Sequence, residues 1–271
     1  MTNPENLRLV SENDFRARRA YLADHVFANV PGGEEVPTDP VSEGTWRHLV
    51  DLPTDVLLRT TDHQGEQIAH IAEQTRLWVS STWEQSAIGQ PFNDVIYDVN
   101  DEFYAALFVS AHGWYRLGTS GLRTALELLA QGASYSAIDD DTGYLAWRKS
   151  EKSPEFRKSL GRLNGSGLTD LARDSLAVIG RLYGDLSRST HSNPGLGNLD
   201  IWNSNGPVWV SEGFTTFSHD LSDALAASYV MARLALTSFT LPTAAEVLFK
   251  SPISRWETLG TQLLADFFTT P

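Results

Sequence analysis

The sequence predicts an all-α protein, and two observations carry this prediction. Apolar or small side chains recur every three or four residues through most of the 271-residue chain, which is the spacing of one helix face. Only one strand candidate interrupts this pattern, at residues 199–211, where tryptophans flank an Asn-Gly pair that favours a tight turn. We therefore expect a helical bundle with flanking helices and one short β-hairpin or extended loop near 199–211.

The strongest helical pattern runs through residues 97–138, and the rest of the chain is expected to pack around it. Its apolar or small residues follow steps of three and four: Phe103, Leu107, Ala111, Trp114, Gly118, Leu122, Ala125, Leu129 and Ala133. A second apolar line widens this face: Tyr104, Phe108, Tyr115 and Leu126. A polar line runs beside it: His112, Arg116, Thr119, Arg123, Glu127 and Gln131. The pattern predicts one long, largely buried helix, with His112 as a hydrogen-bonded core residue.

Helical spacing also predicts the neighbours of this central segment. A helical region over 53–83 is expected to break near Gly65 and to bury Trp83, and residues 86–96 are expected to form a loop. Further helices are predicted over 169–190 and 218–238, from Pro242 to 249, and from residue 252 onward. The helices at 99–135 and 169–190 carry the longest apolar stripes, so we expect them to be direct neighbours.

The chain length allows one large domain or two small ones. The hydrophobic fraction, 41%, is close to the globular average and supports a sizeable core. The expected organisation is an N-terminal helical region, 1–92, packed on a helical domain, 93–271, with the two forming one compact unit.

Composition and charge exclude several classes of protein. The chain has no cysteine, which excludes disulfides, thiolate metal sites and a cysteine nucleophile. No signal peptide and no apolar stretch of membrane-spanning length stand out, so a cytoplasmic protein without a membrane partner is expected. The net charge of −13 argues against a protein that coats nucleic acid without sequence preference.

The charge is distributed unevenly. Residues 144–191 hold nine Lys and Arg against five Asp and Glu, a balance of +4, whereas the remainder holds 12 against 29, a balance of −17. Such a basic segment could bind a phosphate, of RNA or of a nucleotide, or it could be an ordinary solvated face. The sequence leaves both interpretations open.

One cluster has the residue types and spacing of metal ligands. His63, Glu66, His70 and Glu73 follow steps of three, four and three, which places them on one helix face. A metal site would need matching ligands on a second helix, and none is evident. We therefore expect a solvated polar face, no bound metal and no cofactor. We also expect residues 139–141, three aspartates, to cap a helix or to form a solvated turn rather than to bind a cation.

Two short segments resemble a known group of helical proteins. Residues 123–127, Arg-Thr-Ala-Leu-Glu, look like the R-x-x-x-E step in the long helix of HEPN-like proteins of unknown function. Residues 186–191, Leu-Ser-Arg-Ser-Thr-His, look like the L-S-x-x-x-H end of a later helix in that group. The resemblance covers roughly residues 95–240. It implies a compact bundle in which the two helices pack antiparallel, and many such proteins are dimeric, metal-independent endoribonucleases of defence or toxin systems.

The candidate site residues follow from this resemblance and from the polar line. We expect Arg123, Glu127, Tyr183, Arg188 and His191 to converge on one cleft. His191 could exchange a proton with an RNA 2′-hydroxyl, and an arginine could bind the phosphate.

The catalytic motif that the resemblance implies is R-x4–6-H, from which this chain departs. Only two residues separate Arg188 from His191, and nine separate Arg181 from it. The sequence therefore favours a non-catalytic module that binds a protein partner or forms a homodimer, and the resemblance implies a bacterial or phage defence system or a toxin–antitoxin system as its setting. A metal-independent endoribonuclease that cleaves single-stranded RNA is the alternative.

Overall fold

A computed structural model describes residues 52–85, 91–138, 140–149, 155–165, 170–190, 207–236 and 238–249. The chain divides into two compact units, Met1–Arg47 and His48–Pro271, and every described residue belongs to the second unit. The first 51 residues of the predicted N-terminal helical region and the helix predicted from residue 252 onward lie outside the described residues. The predicted domain boundary at 92/93 stays a prediction.

The described residues form a set of helices, and no strand occurs among them, so the all-α prediction is confirmed. The helices are α1 (Leu52–Gln85), α2 (Pro91–Ala111), α3 (Tyr115–Ala137), α4 (Asp141–Arg148), α5 (Phe156–Gly165), α6 (Asp170–Thr190), α7 (Ser211–Ala235) and α8 (Thr243–Phe249).

The predicted central helix is in fact an antiparallel pair, α2 and α3, so the expectation of one helix over 97–138 is wrong. The chain turns at residues 112–114, where Gly113 has a φ of +85°. The pair packs closely because glycines of α3 lie directly against α2. A Cβ atom on Gly118 would meet the Ala106 carbonyl oxygen at 2.9 Å, and one on Gly132 would lie 3.3 Å from the Pro91 carbonyl oxygen.

Helix α2 also begins earlier than the sequence indicates, because Pro91 lies at its first position and residues 86–96 were expected to form a loop. Proline suits this position because it has no backbone N–H, and an N–H at the first position of a helix would have no partner inside the helix. The next backbone N–H, of Phe92, donates to Ser136 Oγ of α3 at 2.9 Å. The start of α2 is thereby fixed to the end of α3.

Helices α3 and α7 form the centre of the described bundle. Helix α3 contacts α2, α4, α5, α6 and α7, and α7 contacts α1, α2, α3 and α6. Every residue from Leu221 to Ala232 is buried, so this part of α7 is covered on all sides. Small side chains, such as the Ala226–Ala227 pair, let neighbouring helices approach it closely.

The contact between α3 and α6 agrees with the prediction that the segments 99–135 and 169–190 are neighbours. Because the predicted long helix is divided, its second half makes this contact. The two helices run antiparallel, since Arg123 of α3 reaches Ser187 of α6, whereas Glu127, one turn later, reaches Tyr183, one turn earlier.

Helix α1 buries a polar face, and most of its hydroxyl groups are satisfied within the helix. Thr60 and Thr75, for example, donate to the carbonyl oxygens four residues earlier, each at 2.8 Å. The predicted break lies at Gln64, whose φ and ψ of −135° and 27° are not helical. Gln64 Nε2 donates to the Ser211 carbonyl oxygen at 3.0 Å and to Thr215 Oγ1 at 2.9 Å, which joins the break to α7.

Residues 199–206 of the predicted hairpin lie outside the described residues. Residues 207–210, which are described, belong to no helix or strand and lead into α7, and Val210 has extended backbone angles. Tyr115 at the start of α3 holds this segment: its hydroxyl donates to the Val210 carbonyl oxygen at 3.3 Å and accepts from the Val210 N–H at 3.2 Å.

None of the described helices has both the length and the apolarity needed to cross a lipid bilayer.

Candidate functional site

Three of the five predicted site residues meet where α3 packs against α6. Arg123 and Glu127 are four residues apart on α3, so they lie one above the other on the same face. Tyr183 and Ser187 have the same spacing on α6 and lie opposite them. We call these four side chains the Arg123 cluster. Regular helices therefore position every member of the cluster.

Arg123 is the centre of the cluster. Its Nε–H donates to Ser187 Oγ at 3.2 Å, and its Nη2 donates to Tyr183 Oη at 2.8 Å. The same Nη2 lies 3.4 Å from Glu127 Oε2, and both side chains are half-buried. The cation and the carboxylate thus neutralise one another inside the cluster.

Tyr183 connects the two charges and joins a third helix to them. Its hydroxyl accepts from Arg123 and donates to Glu127 Oε2 at 3.1 Å, and its ring stacks on Phe156 of α5 with centroids 3.7 Å apart. Burial raises the pKa of the Tyr183 hydroxyl and the Glu127 carboxylate raises it further, whereas Arg123 offsets part of this effect. The hydroxyl is therefore neutral near neutral pH and keeps the proton that it donates to Glu127.

The structure does not bring Arg188 into the cluster, contrary to the expected convergence. Arg188 lies five positions after Tyr183, which corresponds to a rotation of about 140° around α6. Its side chain is 76% exposed and pairs with Asp185, three residues earlier, on the outer surface. His191, the fifth predicted residue, lies outside the described residues.

Arg123→Ala should lower the free energy of unfolding by about 1–3 kcal/mol, because a half-buried guanidinium with three oxygen partners is lost and Glu127 stays behind without it. Arg188→Ala removes the same side chain from an exposed pair and should change stability by less than about 0.5 kcal/mol. Urea unfolding followed by circular dichroism measures both values. Equal effects of the two substitutions would show that the Arg123 cluster does not stabilise the bundle.

Other sequence-based candidates are placed separately from this cluster. His112 was expected in the core but is partly exposed at the turn between α2 and α3, where its Nδ1 lies 2.7 Å from the Phe108 carbonyl oxygen.

The candidate metal ligands on α1 have other partners. His63 packs on Trp209, with ring centroids 4.8 Å apart, whereas Glu73 accepts two hydrogen bonds from Arg76, each at 2.6 Å. In the part of the chain that the structure describes, no group of three or more histidine or carboxylate side chains is arranged to hold a metal ion.

Partial burial lowers the pKa of His70, although a hydrogen bond to the backbone of Leu248 partly offsets this effect. This contact joins α1 to α8, so His70 connects two helices of the bundle. At the acidic turn, Asp140 caps α4, as the sequence predicts, because its Oδ1 accepts from the Gly143 N–H at 2.9 Å.

A polar cluster of Asp94, Tyr144 and Arg148 joins α2 and α4, and the sequence analysis did not predict it. Asp94 accepts hydrogen bonds from the Tyr144 hydroxyl and from Arg148 Nη1, the latter at 3.1 Å. Burial, together with the Asp94 carboxylate, raises the pKa of Tyr144 to about 12. No local spacing links residues 94 and 144, so only the packing of α4 reveals the group.

Several aromatic side chains that the helical pattern assigns to the core are exposed instead. Phe108 and Trp83 are each 65% exposed, and Tyr104 is 45% exposed. Tyr97, which the pattern does not assign to the core, is 60% exposed. The expectation that Tyr104, Phe108 and Trp83 are buried is therefore wrong. The division of the central segment explains why the burial of Tyr104 and Phe108 was wrongly predicted. Because α2 ends at residue 111 and packs against α3, its buried face centres on Val99 and Phe103.

Comparisons of this chain with protein-family models, curated proteins and solved structures find no match. Its function must therefore be inferred from its own residues and their arrangement.

Proposed function

We propose that this protein is a non-catalytic helical binding or assembly module, in keeping with its resemblance to HEPN-like proteins. The single observation that carries the proposal is the closed pairing of the Arg123 cluster. A ribonuclease would need a cation available to the phosphate, and Arg123 is already bonded to Ser187, Tyr183 and Glu127.

Electrostatics at the cluster support the same conclusion. A phosphate approaching Arg123 Nη2 would compete with a carboxylate that lies 3.4 Å from this atom, and the two anions would repel one another. Arg188 could not take over this role inside the cluster, because it lies on the outer face of α6 beside Asp185. The arrangement is thus suited to holding α3, α5 and α6 together rather than to stabilising charge in a transition state.

Cleavage of single-stranded RNA tests the proposal. We expect a fluorescently labelled RNA to stay intact during prolonged incubation with the wild-type protein, both with EDTA and with added Mg²⁺. Metal-independent cleavage by the wild-type protein that is lost in His191→Ala, while the melting temperature stays unchanged, would contradict the proposal and establish the endoribonuclease alternative. Arg181→Ala is a matched control, since this exposed arginine lies on the same helix and outside the Arg123 cluster.

A further inference from the structure

Exposed aromatic side chains lie along one face of α2. Tyr97, Tyr104 and Phe108 follow steps of seven and four residues, so they share one face of the helix and span roughly 16 Å along its axis. Trp83, at the end of α1, extends the line, because its ring meets that of Tyr97 edge to face with centroids 5.7 Å apart. We call these four side chains the aromatic ridge.

Carboxylates flank the aromatic ridge on α2. Asp98 and Asp101 lie next to it, and Glu102 follows on the side towards α3. Partial burial raises the pKa of Glu102, and repulsion by Asp98 and Asp101 raises it further. None of the ion pairs among the described residues includes any of these three carboxylates. The surface therefore combines large apolar groups with three carboxylates, and Arg76 of α1, which lies near Tyr104, is itself paired with Glu73.

We infer that the aromatic ridge docks a basic amphipathic helix of a protein partner, whose small and apolar residues cover the aromatic rings while its lysines or arginines pair with Asp98, Asp101 and Glu102. The inference rests on the proposed binding function and identifies its partner by chemistry. Aromatic side chains with charged neighbours are typical anchors of protein interfaces, and a line of about 16 Å matches three turns of a helix.

Charge argues against the other occupants of such a surface. Nucleic-acid bases stack on aromatic rings, but they bring phosphates that need cations, and this edge is acidic. Anionic membranes are repelled for the same reason. A second copy of this chain, docking through the same ridge, would add another set of the same carboxylates to the interface, and like charges brought together cost binding energy.

The test uses the full-length protein and two synthetic helical peptides of about 18 residues, long enough for several turns. Both peptides have leucine and alanine on one face. One peptide carries lysine on its remaining positions and the other carries glutamate. Isothermal titration should show binding of the lysine peptide alone. Tyr104→Ser with Phe108→Ser should weaken this binding at least about tenfold, as expected on loss of aromatic anchors.

Matched variants separate the ridge from general attraction to an acidic protein. Leu145→Ser with Val247→Ser removes exposed apolar side chains elsewhere and should leave affinity within about twofold. Asp98→Asn with Asp101→Asn should weaken binding, whereas Asp62→Asn with Glu66→Gln, an equal change of charge on α1, should not. Circular dichroism confirms that each variant is folded.

Four results would overturn the inference. They are equal binding by ridge and control variants, binding of the glutamate peptide as well, a ridge-dependent dimer in sedimentation, and ridge-dependent binding of RNA to the protein measured without the peptide. These results are distinct from failure of the proposed function, since RNA cleavage by the wild-type protein would disprove the non-catalytic assignment whatever the peptides do.

Discussion

Leu122→Ala should lower the free energy of unfolding by about 2–5 kcal/mol, the range measured when a buried leucine is truncated and leaves a cavity. Leu122 has no exposed surface and lies on α3, which contacts five other helices and cannot easily collapse onto the vacated space. We expect a lower midpoint of urea unfolding with an unchanged slope, measured by circular dichroism.

Leu117→Ala is the matched control for this substitution. It removes the same atoms from the same helix, but Leu117 is 58% exposed, so its truncation should cost less than about 0.5 kcal/mol. A cost for Leu122→Ala that is no larger than that of the control would show that α3 is not the core helix described here.

The burial of α3 could be predicted because it depends on local spacing. Leu122, Ala125, Leu129 and Ala133 recur every three or four residues, and all are fully buried. The turn before α3 could not be predicted in this way, because Ala111, Trp114 and Gly118 keep helical spacing across it. Apolar spacing of three or four residues indicates which face of a helix is buried. A turn that keeps this spacing on both sides leaves the sequence pattern unchanged and cannot be detected from it.

In the candidate site, too, contacts within one helix could be predicted from the sequence, whereas contacts that depend on helix packing could be predicted only in part. Arg123 and Glu127 are paired by their own spacing on one helix, and Tyr183 follows once α3 and α6 are antiparallel. The prediction that Arg188 joins the cluster is wrong. It relied on the short distance between residues 183 and 188 along the sequence, and it did not consider the direction in which each side chain leaves α6. Exposure of the aromatic ridge depends on which helices cover α2, which residue types alone do not indicate.

A prediction at the unforeseen turn tests this explanation. Gly113→Ala should destabilise the protein by more than the roughly 1–2 kcal/mol that a left-handed backbone alone costs an L-residue. The added Cβ would lie 2.5 Å from the Val208 carbonyl oxygen and 2.7 Å from its nitrogen. Both contacts are with backbone, so the turn would have to move away from the segment that Tyr115 holds.

Gly161→Ala is the matched control for the turn. Gly161 lies inside α5, and a Cβ atom there meets nothing within 4 Å. Alanine should therefore stabilise the protein by about 0.5–1 kcal/mol, because it restricts the unfolded chain without straining the helix. Thermal unfolding of both variants should shift the melting temperature in opposite directions. If Gly113→Ala unfolds at the wild-type temperature, the chain passes from α2 to α3 without a left-handed residue, and one continuous helix over 97–138 becomes the better description.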